Sequence, residues 1–251
     1  MPTLDLNCDM GENFGAWKMG NDEAVLAYVS SANIACGFHG GDPTTMRKTV
    51  EAALKHGVAL GAHPGFQDLA GFGRRNMQIS PQEAYDIVVY QVGALAGVSA
   101  AQSAELHHVK AHGALYNMAA KDAKLARAMA RAVHDVDSNL VFYGLAGSIM
   151  LDEAQDAGLR IASEVFADRG YQPDGSLTPR TQPGAMITDL DKAIEQVLRM
   201  VQDNVVIALD GTRVQIEADT LCIHGDQPNA LVFAEGITKA LKEAGIDVRT
   251  V

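Results

Sequence analysis

Several common signatures are missing from this sequence. Only three cysteines occur, Cys8, Cys36 and Cys222, odd in number, far apart and without a CxxC pair. That excludes a disulfide framework and a zinc ribbon. A basic excess is missing too: 20 Lys and Arg stand against 31 Asp and Glu, a formal net charge of −11. Nucleic acid and anionic membranes favour basic faces and are not the expected partners. No apolar run approaches the roughly 18 residues of a membrane helix. The opening stretch, Met-Pro-Thr-Leu-Asp-Leu-Asn, has neither the basic start nor the apolar core of a signal peptide. A reduced, cytoplasmic protein is the expectation. Also absent are a GxxxxGK[ST] phosphate loop, a GxSxG elbow, an HExxH helix and a dinucleotide fingerprint after the first strand.

What is present is periodic. With 251 residues, 47% hydrophobic and 20% charged, the chain has a globular composition and enough length for one α/β barrel. Apolar runs at Thr3–Cys8, Ala32–Cys36, Val58–Ala62, His108–Ala111, Leu140–Leu145, Arg160–Phe166 and Leu221–Ile223 read as strands. Between them lie helical patterns, over Asn21–Ser31, from Asp42-Pro43, from the capping box Ser80-Pro81-Gln82-Glu83, and over Lys121–Val133, Ser148–Ala157, Asp189–Gln202 and Pro228–Ala244. Val205–Ile216, with Asp210-Gly211 at its centre, reads as a hairpin outside this alternation. Strand–helix units repeated about seven times predict a parallel sheet, and the missing dinucleotide fingerprint favours a barrel over an open sheet. The expected organisation is one (β/α) barrel domain over 1–251, with long loops at 64–80 and 167–188.

Function is legible in where the polar residues fall. Active sites of parallel α/β folds lie at the carboxyl ends of the strands. Six of the seven runs end there in polar, glycine-flanked clusters. These hold Asn7, Asp9 and Glu12; His39 and Asp42; His63, then Asp68, Arg74 and Arg75; Lys110, His112 and Tyr116; Glu164, Asp168 and Arg169; and His224 and Asp226. One such histidine is ordinarily a hydrogen-bonded structural residue, and Asp42 works as an N-cap whatever else it does. Six similar ends converging on one barrel mouth describe an enzyme. Lys110 and His112 share a strand face, so an interior Lys110 needs a carboxylate partner, Glu164 or Asp9. A metal on Asp9, His63 and His112 is the lesser reading, because no HxxxH or HExxH spacing supports it.

Asn7-Cys8-Asp9-Met10-Gly11-Glu12, Asn33-Ile34-Ala35-Cys36-Gly37-Phe38-His39-Gly40-Gly41-Asp42, Gly61-Ala62-His63-Pro64, Gly71-Phe72-Gly73-Arg74-Arg75, Lys110-Ala111-His112-Gly113-Ala114-Leu115-Tyr116-Asn117, Glu164-Val165-Phe166-Ala167-Asp168-Arg169 and Cys222-Ile223-His224-Gly225-Asp226 together resemble the LamB/YcsF family. The likeness runs over essentially the whole chain. Ala111 departs from it, since the family more often has Pro before the histidine. The resemblance implies a deacetylase-like TIM-type barrel of about seven strands. It also implies cleavage of 5-oxo-L-proline to L-glutamate, driven by hydrolysis of ATP (with Mg2+) to ADP and phosphate. The family's members act in this as the A subunit of 5-oxoprolinase, beside its B and C subunits. Residue roles remain a physical reading. Asp9 or Glu164 suits the general base, His63 or His112 the acid–base partner, Lys110 the developing anion, and Arg74 or Arg75 the substrate carboxylate. Glu12, His39 and His224 complete the candidate catalytic set, and Asn7, Asn33, Asp68, Tyr116, Asp168, Arg169 and Asp226 the substrate-binding one. Metal-assisted amide hydrolysis without ATP, or a purely substrate-binding role, are the alternatives.

Overall fold

The computed structural model describes residues 2–19, 22–224 and 229–251. Strand β1 (Thr3–Met10) leads to helix α1 (Asp22–Val25), β2 (Ser31–Ala35), α2 (Pro43–His56) and β3 (Ala59–His63). Then come α3 (Pro81–Ala100), β4 (His108–Lys110), α4 (Gly113–Ala119), α5 (Ala123–Val136), β5 (Val141–Leu145), α6 (Ile149–Asp156) and β6 (Arg160–Phe166). The chain continues through α7 (Leu190–Asp203), a hairpin of β7 (Val205–Ile207) and β8 (Arg213–Gln215), β9 (Thr220–Ile223), α8 (Ala230–Glu243) and β10 (Asp247–Val248). Seven parallel strands run in the order β1-β2-β3-β4-β5-β6-β9, and pairing of Asp5–Cys8 with Thr220–Ile223 closes them into a barrel. β10 adds a short parallel pairing to Thr3 and Leu4.

Local chemistry explains several helix ends. Asp42 caps α2 by accepting from the backbone N–H of Thr44 and Thr45, with Pro43 at the first position, and Gly57 ends the helix at φ 68°. Ser80 and Glu83 form the reciprocal capping box that opens α3. The helix expected over Asn21–Ser31 is reduced to one turn, α1. Ser30 and Ser31 instead donate their hydroxyls to Asp5 at 2.6 and 2.7 Å, which draws this stretch into β2. The expected starts Asn21 and Pro228 lie outside the described residues. Helix α4 and strand β10 have no counterpart in the sequence pattern. Both are too short to show a period of their own.

The two faces of the strands differ in kind. Leu4, Leu6, Cys8 and Met10 of β1 pack outward against the helices in one apolar layer with Ile34, Val50, Leu95, Leu115, Val165 and Ile237. Each fully buried aliphatic side chain there stabilises the fold by roughly 1.5–3 kcal/mol. The alternate residues of β1, Asp5, Asn7 and Asp9, point inward and are all buried. At the floor Asp5 accepts from Ser30, Ser31, Tyr143 and Thr220, at 2.6–2.9 Å. Above it, Asn33 accepts from His108 Nε2–H at 2.8 Å, while its own amide donates to Asn7 (2.7 Å) and Asp9 (2.9 Å). Gly61 makes room for that ring, because a Cβ there would overlap the His108 imidazole.

Gly61→Ala should therefore expel His108 and break its bond to Asn33, lowering stability by about 1–3 kcal/mol in denaturant titrations. Burial, with the His107 and Lys110 charges, holds His108 well below its ordinary pKa, so the native ring is neutral. The unfolded chain then binds a proton the native state refuses. Stability should fall as pH drops below about 6.5. Urea midpoints at about pH 7.5 and about pH 5.5, on either side of that value, should show this loss, and His108→Gln should shrink it.

Candidate active site

The carboxyl ends of β1, β2, β3, β4, β6 and β9 meet at one mouth. Lys110, on β4, is 3% exposed and places its ammonium 2.8 Å from Glu164 Oε1, 2.9 Å from Asp9 Oδ1, 3.2 Å from Asn7 Oδ1 and 2.9 Å from Cys222 Sγ. Desolvation alone would favour the neutral amine, but the Asp9 and Glu164 carboxylates outweigh it and hold the lysine well above its usual pKa. Asp9 is the complement. Burial would raise its carboxyl, yet the His63 and Lys110 charges keep it well below the carboxylate range. Asn7 donates to Glu164 at 3.1 Å and to Thr220 at 2.7 Å, so the two acids reach the ammonium from fixed directions.

Above this ion cluster stand three buried histidines and Glu12. His39 and His112 are stacked at 3.7 Å between centroids and 2° between planes, and His63 is edge-on to both. His63 Nδ1–H donates to Lys110 O at 2.7 Å, and His112 Nε2–H donates to Phe72 O at 2.8 Å. Their other nitrogens lie 3.0 Å apart. Glu12 Oε1 is 3.3 Å from His39 Nε2 and 3.5 Å from His112 Nδ1. Burial, with neighbouring histidine charges, pushes His39 and His112 well below their usual values, so both are neutral near neutral pH. Phe72, at φ 54°, and Gly73, at φ 61°, turn the 64–80 loop down onto these rings. A Cβ at Gly73 would stand 2.8 Å from His39 and 2.9 Å from His112.

On the other side of the mouth, His224 Nδ1–H donates to both oxygens of Asp168 at 2.9 Å. Burial would raise the Asp168 carboxyl, but His224 holds it below the usual range. The pair forms part of the wall of a cavity of about 250 Å³, together with Ile187, Ile223 and Phe233. Phe166 stacks on His224 at 5.7 Å and stands 5.4 Å from the Lys110 ammonium, which links the dyad to the ion cluster.

Of the residues expected at the site, Asn7, Asp9, Glu12, Asn33, His39, His63, Lys110, His112, Glu164, Asp168 and His224 are brought together. Tyr116 is buried near them, its phenol pushed well up by desolvation and by the Glu164 charge. Three of the expected residues have partners within their own loops. Arg75, exposed, pairs with the buried Asp68 within the 64–80 loop. Arg169 is likewise committed, donating to the carbonyls of Ala185 (3.1 Å) and Thr178 (2.6 Å) to hold the 167–188 loop. Arg74 is exposed at the rim, its guanidinium over the Phe72 ring at 4.8 Å. Asp226 lies outside the described residues. Cys222, His108 and the Phe72 carbonyl join the site without having been expected there. Period-two counting back from His224 would have put Cys222 on the inner face.

Comparisons with known proteins agree with this architecture. The 5-oxoprolinase A subunit of Bordetella pertussis (strain Tohama I) is 73% identical over 248 residues, 99% of this chain and 98% of that protein. The protein of the same name from Tolumonas auensis is 61% identical over 249 residues, 99% of both chains. The crystal structure of the lactam utilization protein from Thermus thermophilus superposes with a TM-score of 0.94 at 49% identity, covering 99% of this chain and 100% of that one. The catalytic domain of a peptidoglycan N-acetylglucosamine deacetylase from Eubacterium rectale shares the fold alone, at TM-score 0.52 and 10% identity, covering 100% of this chain and 90% of that one. With a family match over residues 4–251, the chain belongs to the LamB/YcsF family.

Proposed function

We propose that this chain carries the ring-opening half of an ATP-coupled cleavage of 5-oxo-L-proline to L-glutamate, working beside the B and C subunits of a 5-oxoprolinase. The observation that carries the reading is the Lys110 ammonium held between Asp9 and Glu164 at the base of a histidine-lined mouth. The name of the relatives, the A subunit of 5-oxoprolinase, supplies the substrate. A five-membered lactam is a stable amide that water attacks poorly. Transfer of the ATP γ-phosphoryl group to the lactam oxygen, with release of ADP, makes the ring carbon electrophilic. Water adds to that carbon, the ring C–N bond breaks with protonation of nitrogen, and the resulting acyl phosphate is hydrolysed by a second water to glutamate and phosphate.

The chain's own groups suit these steps. Asp9, held as a carboxylate, accepts a proton from the attacking water. Lys110 faces the negative charge that develops on oxygen. His224, oriented by Asp168, hands a proton to the departing nitrogen. Arg74 at the rim suits the substrate carboxylate. The phosphoryl transfer from Mg2+-ATP belongs in this reading to the assembled complex. The cluster of Glu12, His39, His63 and His112 favours a second reading, metal-assisted amide hydrolysis without ATP. No helix among the described residues is long and apolar enough to cross a membrane.

Two outcomes are expected. The isolated chain should neither open 5-oxoproline nor consume ATP at a significant rate, and adding the B and C subunits should give glutamate and ADP in equal amounts. Glutamate release by the chain alone without ATP would favour the metal-assisted reading instead. In the complex, Lys110→Met should abolish turnover. It should also destabilise the chain by about 3–5 kcal/mol, on the order of 10 °C in melting temperature, because two buried carboxylates lose their cation. Adding Glu164→Gln should recover much of that stability and none of the activity.

A further inference from the structure

The histidine cluster turns two ring nitrogens and a carboxylate toward one point. His63 Nδ1 faces Lys110 O and His112 Nε2 faces Phe72 O. With those atoms on carbonyls, His63 Nε2 and His112 Nδ1 face each other across 3.0 Å, and Asp9 Oδ2 stands 3.4 Å from His63 Nε2. Glu12 Oε1 brings negative charge to the same point, 3.5 Å from His112 Nδ1, and the ligand atoms of Glu12, His39, His63 and His112 all lie within 4.8 Å of one another. Ligand atoms on a tetrahedral zinc, with bonds of about 2.0–2.2 Å, stand roughly 3.4 Å apart. The observed spacing is of that size. Both rings also hold their remote N–H on a backbone carbonyl, the support that metal-bound imidazoles need.

We propose that His63 Nε2, His112 Nδ1 and the Glu12 carboxylate bind a divalent transition metal ion of the zinc class. Three protein ligands leave a coordination position for water or for a substrate oxygen. His39 is not one of them. Its ring is parallel to that of His112, so their in-plane lone pairs cannot meet at one ion, whereas the His63 ring lies at 85° to His112 and can share one with it. His39 instead packs against the face of His112. Asp9, the third ligand expected from sequence, has Oδ1 held by Lys110 and Asn33 at 2.9 Å each, so only its Oδ2, 3.4 Å from His63 Nε2, could reach the ion. The neighbouring group of Asp9, Cys222 and His224 does not compete. The Lys110 ammonium already lies 2.9 Å from both the Asp9 oxygen and the Cys222 sulfur and occupies that point with its own charge.

The site stands on geometry and not on the lactam reading, so its test uses neither lactam nor ATP. Full-length protein is stripped with chelator, then titrated with Co2+ while visible absorption is followed, and its melting temperature is measured with and without Zn2+. Wild type should take up about one Co2+ per chain with d–d absorption of a low-coordinate nitrogen–oxygen site, and Zn2+ should raise its melting temperature. Glu12→Gln, nearly isosteric, and His112→Phe, which keeps the stacked ring, should each weaken binding by at least about 10-fold. His224→Gln should bind like wild type. Absence of both the Co2+ spectrum and the Zn2+ shift in wild type would overturn the proposal. So would wild-type affinity in Glu12→Gln, which remains informative even where His112→Phe does not fold.

Discussion

A fully desolvated ammonium in a protein interior costs several kcal/mol unless charge of the opposite sign is held beside it. Lys110 meets that requirement with two acids from different strands, Asp9 on β1 and Glu164 on β6, and the rest of the barrel interior follows from keeping them in place. Asn7 bonds Glu164, Asn33 bonds both Asn7 and Asp9, and His108 bonds Asn33. The space for His108 comes from the bare backbone of Gly61. Each group is satisfied only while its neighbour is. A barrel interior ordinarily filled with branched apolar side chains is here a hydrogen-bonded column from Asp5 at the floor to the histidines at the mouth.

That column divides the work of the strands. Their outer faces, packed under the helices, supply the hydrophobic stabilisation, while their inner faces hold charge at the cost of burying it. The division explains how so many titratable groups can be concentrated in one place without loss of the fold. It also gives the mouth two neighbouring environments: an ion cluster around Lys110, and above it three packed imidazoles, two of them held by carbonyl oxygens.

Much of this was legible in the sequence, for identifiable reasons. The strands were visible as short apolar runs. A parallel barrel gathers their carboxyl ends, so Asp9, His39, His63, Lys110, His112, Glu164 and His224 could be assigned to one mouth from chain position alone. The period of two placed Lys110 on the inner face and required a carboxylate for it. Less was legible where a residue's partner is local and polar. Arg75 with Asp68, and Arg169 with the carbonyls of its own loop, look like ligand-binding arginines in sequence because nothing in spacing shows which oxygen they meet. The grouping at the histidines was legible only in part: His63 and His112 were paired as metal candidates, but the approach of Glu12 and His39 to them was not. Glu12 and His39 sit in loops after their strands, and loop direction is settled by turns such as that at Phe72 and Gly73 rather than by periodicity.

The closure of the barrel bears on how the chain is made. Strand β9 sits between β6 and β1, yet it follows β6 only after the 167–188 loop, α7 and the β7–β8 hairpin. During synthesis, β1 to β6 can assemble as a curved open sheet, but until Ile223 has left the ribosome both of its edges lack their final partner. Such edges are templates for wrong pairing. The inner face of that open sheet is also rich in unsatisfied polar groups, so it gains little by collapsing early. The nascent chain is thus expected to depend on chaperone protection late in translation, and ribosome-bound fragments ending before β9 should be the aggregation-prone species.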